Sequence, residues 1–190
     1  MNKVWLSSLL ALNLTLAGCG GGGSTSDGGT PPAWDSSPVA VTATANNLSS
    51  NWRDGVFMQI FVRAYKDSND DGVGDLQGLI SKLDYLQSLG VHGIWLMPIH
   101  PSQDGDHGYA VKDYRQVASE YGTLADFDAL LSAAHARGIG VIIDYVMNHS
   151  AAQHPAFVNS RASAANTWRD WYVWKSSKPS GWNIYGSDPW

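Results

Sequence analysis

The 190 residues carry 12 Lys and Arg against 17 Asp and Glu, a net charge of −5 with histidines neutral. That balance leaves no basic stripe to neutralise a phosphate backbone, which argues against nucleic acid as a partner. The single cysteine excludes a disulfide within the chain, and nine tryptophans with eight tyrosines supply rings that suit core packing or flat sugar faces alike.

In chain order, Lys3 gives a positive start, Val4 to Leu16 form an apolar run, and Leu16-Ala17-Gly18-Cys19 ends it with small residues. The run is too short and too glycine-flanked to span a membrane, so residues 1–19 read as an export signal. Leu-Ala-Gly-Cys resembles the bacterial lipobox, whose cysteine becomes the lipidated first residue of the mature protein. The resemblance implies a lipid at Cys19 and an exported, membrane-anchored lipoprotein, on the periplasmic face or at the cell surface. Residues 20–50 are mostly Gly, Ser, Thr, Pro, Ala and Asn and read as a flexible tether. About 140 residues remain, enough for one domain.

Val56 to Val62 is apolar and β-branched, as a strand covered on both faces would be. After an acidic loop, Leu76, Leu79, Ile80, Leu83, Leu86 and Leu89 recur at helical spacing, and Gly90 closes the helix. Val91 to Pro98 predicts a second strand, and a polar loop follows from about His100 to Tyr121. Thr123 is placed to cap a helix bearing Leu124, Phe127, Leu130, Leu131 and Ala134, stopped by Gly138. Ile139 to Tyr145 predicts the third strand. Alternating strands and helices imply parallel crossovers with the functional loops on one face, as in a doubly wound sheet or the start of a (β/α)8 barrel. No Gly-x-Gly-x-x-Gly follows a strand and no phosphate-binding lysine loop is present, so nucleotide binding lacks its fingerprint.

Two stretches carry chemistry. Asp144-Tyr145-Val146-Met147-Asn148-His149 sets three polar side chains at the end of an apolar strand, the edge at which barrel active sites are built. Asp67-Ser68-Asn69-Asp70-Asp71-Gly72-Val73-Gly74-Asp75 crowds oxygen donors at alternate positions, with glycines for a tight wrap. A solvated turn has this composition too, but the carboxylates repel one another unless a cation such as Ca2+ sits among them. An EF-hand is excluded, because its twelfth position is Gly78 and the preceding segment is strand-like.

Taken together, these stretches resemble the α-amylase family of glycoside hydrolases. Val56 to Leu79 is similar to the first barrel strand, calcium loop and first helix of its oligosaccharide-cleaving members. Ile94 to Ile99 resembles the second strand, and His107-Gly108-Tyr109 with Asp113-Tyr114 the loop after it. Asp144 to His149 resembles the family's first signature region. His154 to Phe157 and Trp168 to Trp174 resemble the opening of the domain that protrudes after strand three. The resemblance implies an α/β fold: about three βα units of a (β/α)8 TIM barrel over 51–150, an incomplete barrel, with the truncated start of domain B over 151–190. It further implies that Tyr109 stacks on the sugar beside the scissile bond and that His149 holds its hydroxyls. Asp144 becomes a buried acid bracing the site. Asp67, Asn69, Asp71, the Val73 carbonyl and Asp75 become ligands of Ca2+, as does Asn148 in members that keep a second calcium. Ala110 departs from the acid or larger residue that many relatives carry there, which bears on subsite preference. Trp168, Trp171 and Trp174, at three-residue spacing, read as one packed face of a short helix.

Retaining glycoside hydrolysis needs two carboxyl groups about 5–5.5 Å apart. In this family they follow strands four and five, with a third acid after strand seven, and no Asp or Glu here matches those positions. No residue is therefore assigned as catalytic, and the expectation places the catalysts beyond Trp190. The implied activity of the full-length protein is cleavage of α-glucosidic bonds in starch or malto-oligosaccharides. The alternatives are an oligo-glucosidase or trehalose-forming relative, or a non-catalytic calcium- or carbohydrate-binding lipoprotein. By itself the 190-residue chain is expected to be inactive on starch and, with apolar strands uncovered, prone to aggregate.

Overall fold

The computed structural model describes residues 34–40, 48–104, 107–183 and 186. The leader, Cys19 and most of the tether lie outside these residues. Strands β1 (Val56–Ile60), β2 (Val91–Leu96) and β3 (Gly140–Ile143) form a parallel sheet in the order β1-β2-β3. Met58 pairs with Ile94 and Ile94 with Val141, while Gln59 pairs with Trp95 and Trp95 with Ile142.

Side chains alternate across a sheet, so this register sorts them cleanly. One face carries Met58, Ile60, Ile94, Leu96, Val141 and Ile143. It packs on Leu76 and Leu79 of α1 (Leu76–Ile80), Leu83 and Leu86 of α2 (Leu83–Ser88), and Leu130 and Ala134 of α3 (Leu124–Ala136). The opposite face carries Phe57, Gln59, Trp95 and Ile142, and Trp95 and Ile142 are each 43% exposed. The expected opening of a barrel is thus a three-stranded layer with helices on one side and its inner face uncovered.

Each element owes its limits to local chemistry. β1 ends at Ile60, two residues short of the expected Val62, because the chain turns into a 3-10 segment at Val62–Ala64. The acidic loop folds back on that segment: Gly74 N donates to Arg63 O (2.8 Å) and Asp75 N to Lys66 O (3.0 Å). The single helix expected over Leu76 to Leu89 is two helices. At the break the Ser81 hydroxyl donates to Gly78 O (2.6 Å), and Lys82 N bonds Leu79 O three residues back, a competition that tightens and bends helices. Gly90 and Gly138 end α2 and α3 at positive φ (76° and 72°) with open space around them, so left-handed backbone is what these positions require. Thr123 caps α3 as expected, with a capping box whose acid is Asp126. β3 stops at Ile143 instead of Tyr145.

Past the sheet, His154 caps α4 (Pro155–Ala162) through Nδ1, which accepts from Ala156 N (3.2 Å). A further 3-10 turn covers Arg169–Trp171. The three tryptophans do not share one face. Trp168 and Trp171 pack edge-on against Trp34, while Trp174 stacks on Phe157 and lies under Arg169. Trp34 belongs to the stretch read as tether, so the folded body reaches further toward the N-terminus than composition implied.

The start of α1 shows how tightly the loop is fitted. Asp75 is 7% exposed and accepts from Ser68 N, Ser68 Oγ and Gly78 N at 3.0, 2.8 and 2.6 Å. Burial pushes its carboxyl up, but these hydrogen bonds outweigh that and hold it below the usual range. A Cβ at Gly78 would lie 1.9 Å from Lys66 O. An alanine within a helix ordinarily gains about 1 kcal/mol over glycine. Here the clash reverses the sign, and Gly78→Ala should lower stability by about 1–3 kcal/mol. Pulse proteolysis across urea concentrations reads this directly; an unchanged or raised midpoint would contradict the close approach.

Candidate functional site

Because the strands are parallel, their C-terminal ends share one edge, and three connections leave it. Asp144 N donates to Leu96 O (2.9 Å), fixing the β3 exit to the end of β2. The Tyr109 hydroxyl, on the loop after β2, donates to Asp144 Oδ2 (3.3 Å). Burial raises the Tyr109 pKa first, and the neighbouring Asp144 charge adds to it, so the phenol stays protonated and remains the donor. His149 Nε2 lies 3.1 Å from Tyr109 O, and His149 Nδ1 lies 3.3 Å from Asn148 Nδ2. A carbonyl only accepts and an amide nitrogen only donates, so in this arrangement Nε2 donates to Tyr109 O and Nδ1 accepts from Asn148.

Tyr109, Asp144 and His149 are therefore brought together as the sequence implied, with two differences. Asp144 is half-buried instead of buried, since the inner sheet face beside it is uncovered. Both His149 ring nitrogens have partners within the protein, although the residue itself is exposed.

The loop backbone is held from behind. Tyr114 Oη lies 2.8 Å from both Val146 O and His149 O, so its one proton is shared between two carbonyls. Burial raises its pKa, and Tyr145 packs edge-on against it at 5.4 Å. Asp113 accepts from Arg115 N and makes the turn that presents Tyr114. His107 stacks on Phe61 at 4.9 Å and His100 meets Gln116 O, so both serve packing. Ala110 N–H and carbonyl lie on the loop beside Tyr109, where Ala110 O accepts from Gln103 N.

The acidic loop is a separate group in the β1-to-α1 connection. Asp67 accepts from the backbone N–H groups of Asn69, Asp70 and Gly72. The Gly72 bond is the largest cause holding its carboxyl below the usual range. Asn69 Oδ1 accepts from Asp71 N, and Asp71 Oδ1 from Val73 N. Asp70 sits at φ 63° and Gly72 at φ 87°, the left-handed turn that winds the loop. Each carboxylate has about four lone-pair sites, so Asp75, with three accepted bonds, retains room for one more. No group of three or more His, Cys, Asp or Glu converges on a metal position among the described residues. A cation here would also need the Asn69 amide oxygen and the Val73 carbonyl, a hard-oxygen mixture that fits Ca2+.

Sequence reasoning passed over Trp34 and Arg115, and read His154 only as part of the opening of the protruding domain. Trp34 is the one aromatic residue between 20 and 50, the signal that would have marked it. Its ring meets His154, Trp168 and Trp171 at 5.0, 5.2 and 5.3 Å. A cavity of about 840 Å³ lies beside this cluster, with Trp34, Tyr145, His149, Phe157, Trp171 and Tyr172 among its walls. Tyr109 and Asp144 are not among them, so the cavity adjoins the rim without containing it.

Known proteins place this geometry. An alpha-glucosidase from Pediococcus pentosaceus is 44% identical over 144 residues, covering 73% of this chain and 26% of the relative. An oligo-1,6-glucosidase from Heyndrickxia coagulans is 47% identical over 130 residues, covering 68% and 23%. Among solved structures, the trehalulose synthase MutB from Pseudomonas mesoacidophila MX-45 superposes with a TM-score of 0.65 at 45% identity, covering 70% and 24%. The chain spans about a quarter of the length of these relatives. Residues 59–190 match the family model for the alpha amylase catalytic domain, and the chain belongs to that family.

Proposed function

We propose that this chain supplies one wall of the substrate rim of an enzyme that cleaves α-glucosidic bonds in short gluco-oligosaccharides by a retaining mechanism. The observation that carries the reading is the Tyr109–Asp144–His149 cluster at the shared strand edge. The Tyr109 ring offers a face to a sugar, and Asp144 holds its hydroxyl. To reach a sugar hydroxyl, His149 must release one internal partner. The 3.3 Å bond from exposed Asn148 is the weaker, so Nδ1 becomes the acceptor while Nε2 stays on Tyr109 O. The acids that break the bond are not assigned to any residue of this chain. Short substrates are preferred over starch because the similar proteins include an alpha-glucosidase and oligo-1,6-glucosidases.

The assay is glucose release from maltose, isomaltose, sucrose and soluble starch by the protein carrying these residues. His149→Ala should lower kcat/KM about tenfold, the worth of a hydrogen bond of about 1.4 kcal/mol. Tyr109→Phe, which keeps the ring, should cost less than Tyr109→Ala. Equal losses for the two tyrosine variants would remove the stacking role, and starch turnover far above disaccharide turnover would remove the substrate preference.

Ca2+ would be held by Asp67, Asn69, Asp71, the Val73 carbonyl and Asp75, where it neutralises crowded carboxylates and pins the loop on α1. It takes no part in bond cleavage. Calcium at a hundred times its Kd should stabilise the protein by about 2.7 kcal/mol. Asp71→Asn should shift the required calcium concentration upward, and a melting temperature indifferent to calcium and to chelator would refute the site. Asn148, whose amide oxygen is uncommitted, is the candidate for a second calcium.

Export and lipid attachment at Cys19 complete the reading. No helix among the described residues is long and apolar enough to cross a membrane. Fractionation of Cys19→Ser should move the protein from the membrane to the soluble pool; equal distribution of both forms would defeat the anchor.

A further inference from the structure

Residues 34–37 lie outside the segment that matches the family model, yet they touch the loop that carries His149 at His154 and reach its other end through Arg115, the neighbour of Tyr114. We propose that Trp34 and Asp35 form a strap that positions this loop, a device of this chain in addition to the family's shared barrel. The inference rests on the reading of His149 as a substrate contact.

The strap has two points of hold. Trp34 inserts its ring edge-on among His154, Trp168 and Trp171. Asp35 Oδ2 meets Arg115 Nη1 at 3.0 Å, and Arg115 Nη2 donates to Ser37 O. Arg115 follows Tyr114, whose hydroxyl holds the Val146 and His149 carbonyls. His154 closes the other end of the loop, with its N–H on Ala151 O, and Ala151 N is on Val111 O. One short segment thereby holds residues 146–154 directly at their finish, at His154, and at their start only through Arg115 and Tyr114. The Asp35–Arg115 pair is solvent-exposed, where such pairs contribute little. Trp34 carries the hold.

The seat is made for release as well as for closure. His154 is 3% exposed, and because its Nδ1 accepts from Ala156 N, its Nε2 bears the proton. That N–H and the indole N–H of Trp34 are both buried without a hydrogen-bond partner among the described residues. Ring faces are weak acceptors for them, so docking leaves two donors under-served and offsets part of the packing gain.

Hydrogen exchange of the protein carrying these residues, with maltose titrated in parallel, tests the strap. In Trp34→Ala, amides from Val146 to Ala156 should exchange at least tenfold faster while those of β1 and β2 hold steady. The maltose Kd should rise severalfold, Trp34→Phe should restore most of both, and Trp174→Ala should alter neither at Val146 to Ser150. Tyr114→Phe should be less than additive with Trp34→Ala, since both act on the same carbonyls. Unchanged exchange, or acceleration spread evenly over the sheet, would overturn the strap. If the unaltered protein binds no maltose, the substrate reading of His149 fails, and the exchange result alone decides whether the strap orders the loop.

Discussion

The rim depends on the central strand. β2 is hydrogen-bonded on both sides, and its end fixes the positions of both neighbours: Met97 N reaches Ile60 O, and Asp144 N reaches Leu96 O. Parallel pairing puts all three exits on one edge, and the register then sets Asp144 within reach of Tyr109. A slip of one residue in β3 would turn Asp144 toward the helices and bring Ile143 to the rim. The apolar pattern forbids that slip, because it would also turn Val141 and Ile143 out of the core. Packing on the helix side is therefore what holds the polar cluster in place on the other.

The two functional loops are stiffened by opposite means. In the acidic loop, side-chain oxygens accept from backbone N–H groups; in the β3 exit, a side-chain hydroxyl donates to backbone carbonyls. The first arrangement gathers negative charge and suits a cation. The second adds no charge behind His149, so the ring can exchange partners without disturbing the backbone that presents it.

Much of this was legible in the sequence where one residue type answers one local need. Thr123 as a cap, Gly90 and Gly138 as stops, and the leucine spacing of the first helical stretch all depend on neighbours a few positions away. The break at Ser81 was not legible, because a serine in a helix equally faces solvent; only its aim at the Gly78 carbonyl decides the outcome. Trp34 was hidden for a different reason. Its partners lie far downstream, and a window of glycine, serine and proline outvotes a lone aromatic residue. The exposure of Asp144 was misjudged because strand patterning tells which face a residue takes, and says nothing of what covers that face.

The inner face of the sheet is not uniformly bare. Gly93 and Gly140 lie side by side in the register, and the space their Cβ atoms would fill is taken by the rings of Phe57 and Trp52, which touch one another at 5.6 Å. The floor at the N-terminal ends of the strands is thus already assembled from residues close in sequence, while Gln59, Trp95 and Ile142 above it stand open. The space under this part of a barrel is therefore closed at one end by the aromatic floor and open toward the edge where Tyr109, Asp144 and His149 meet.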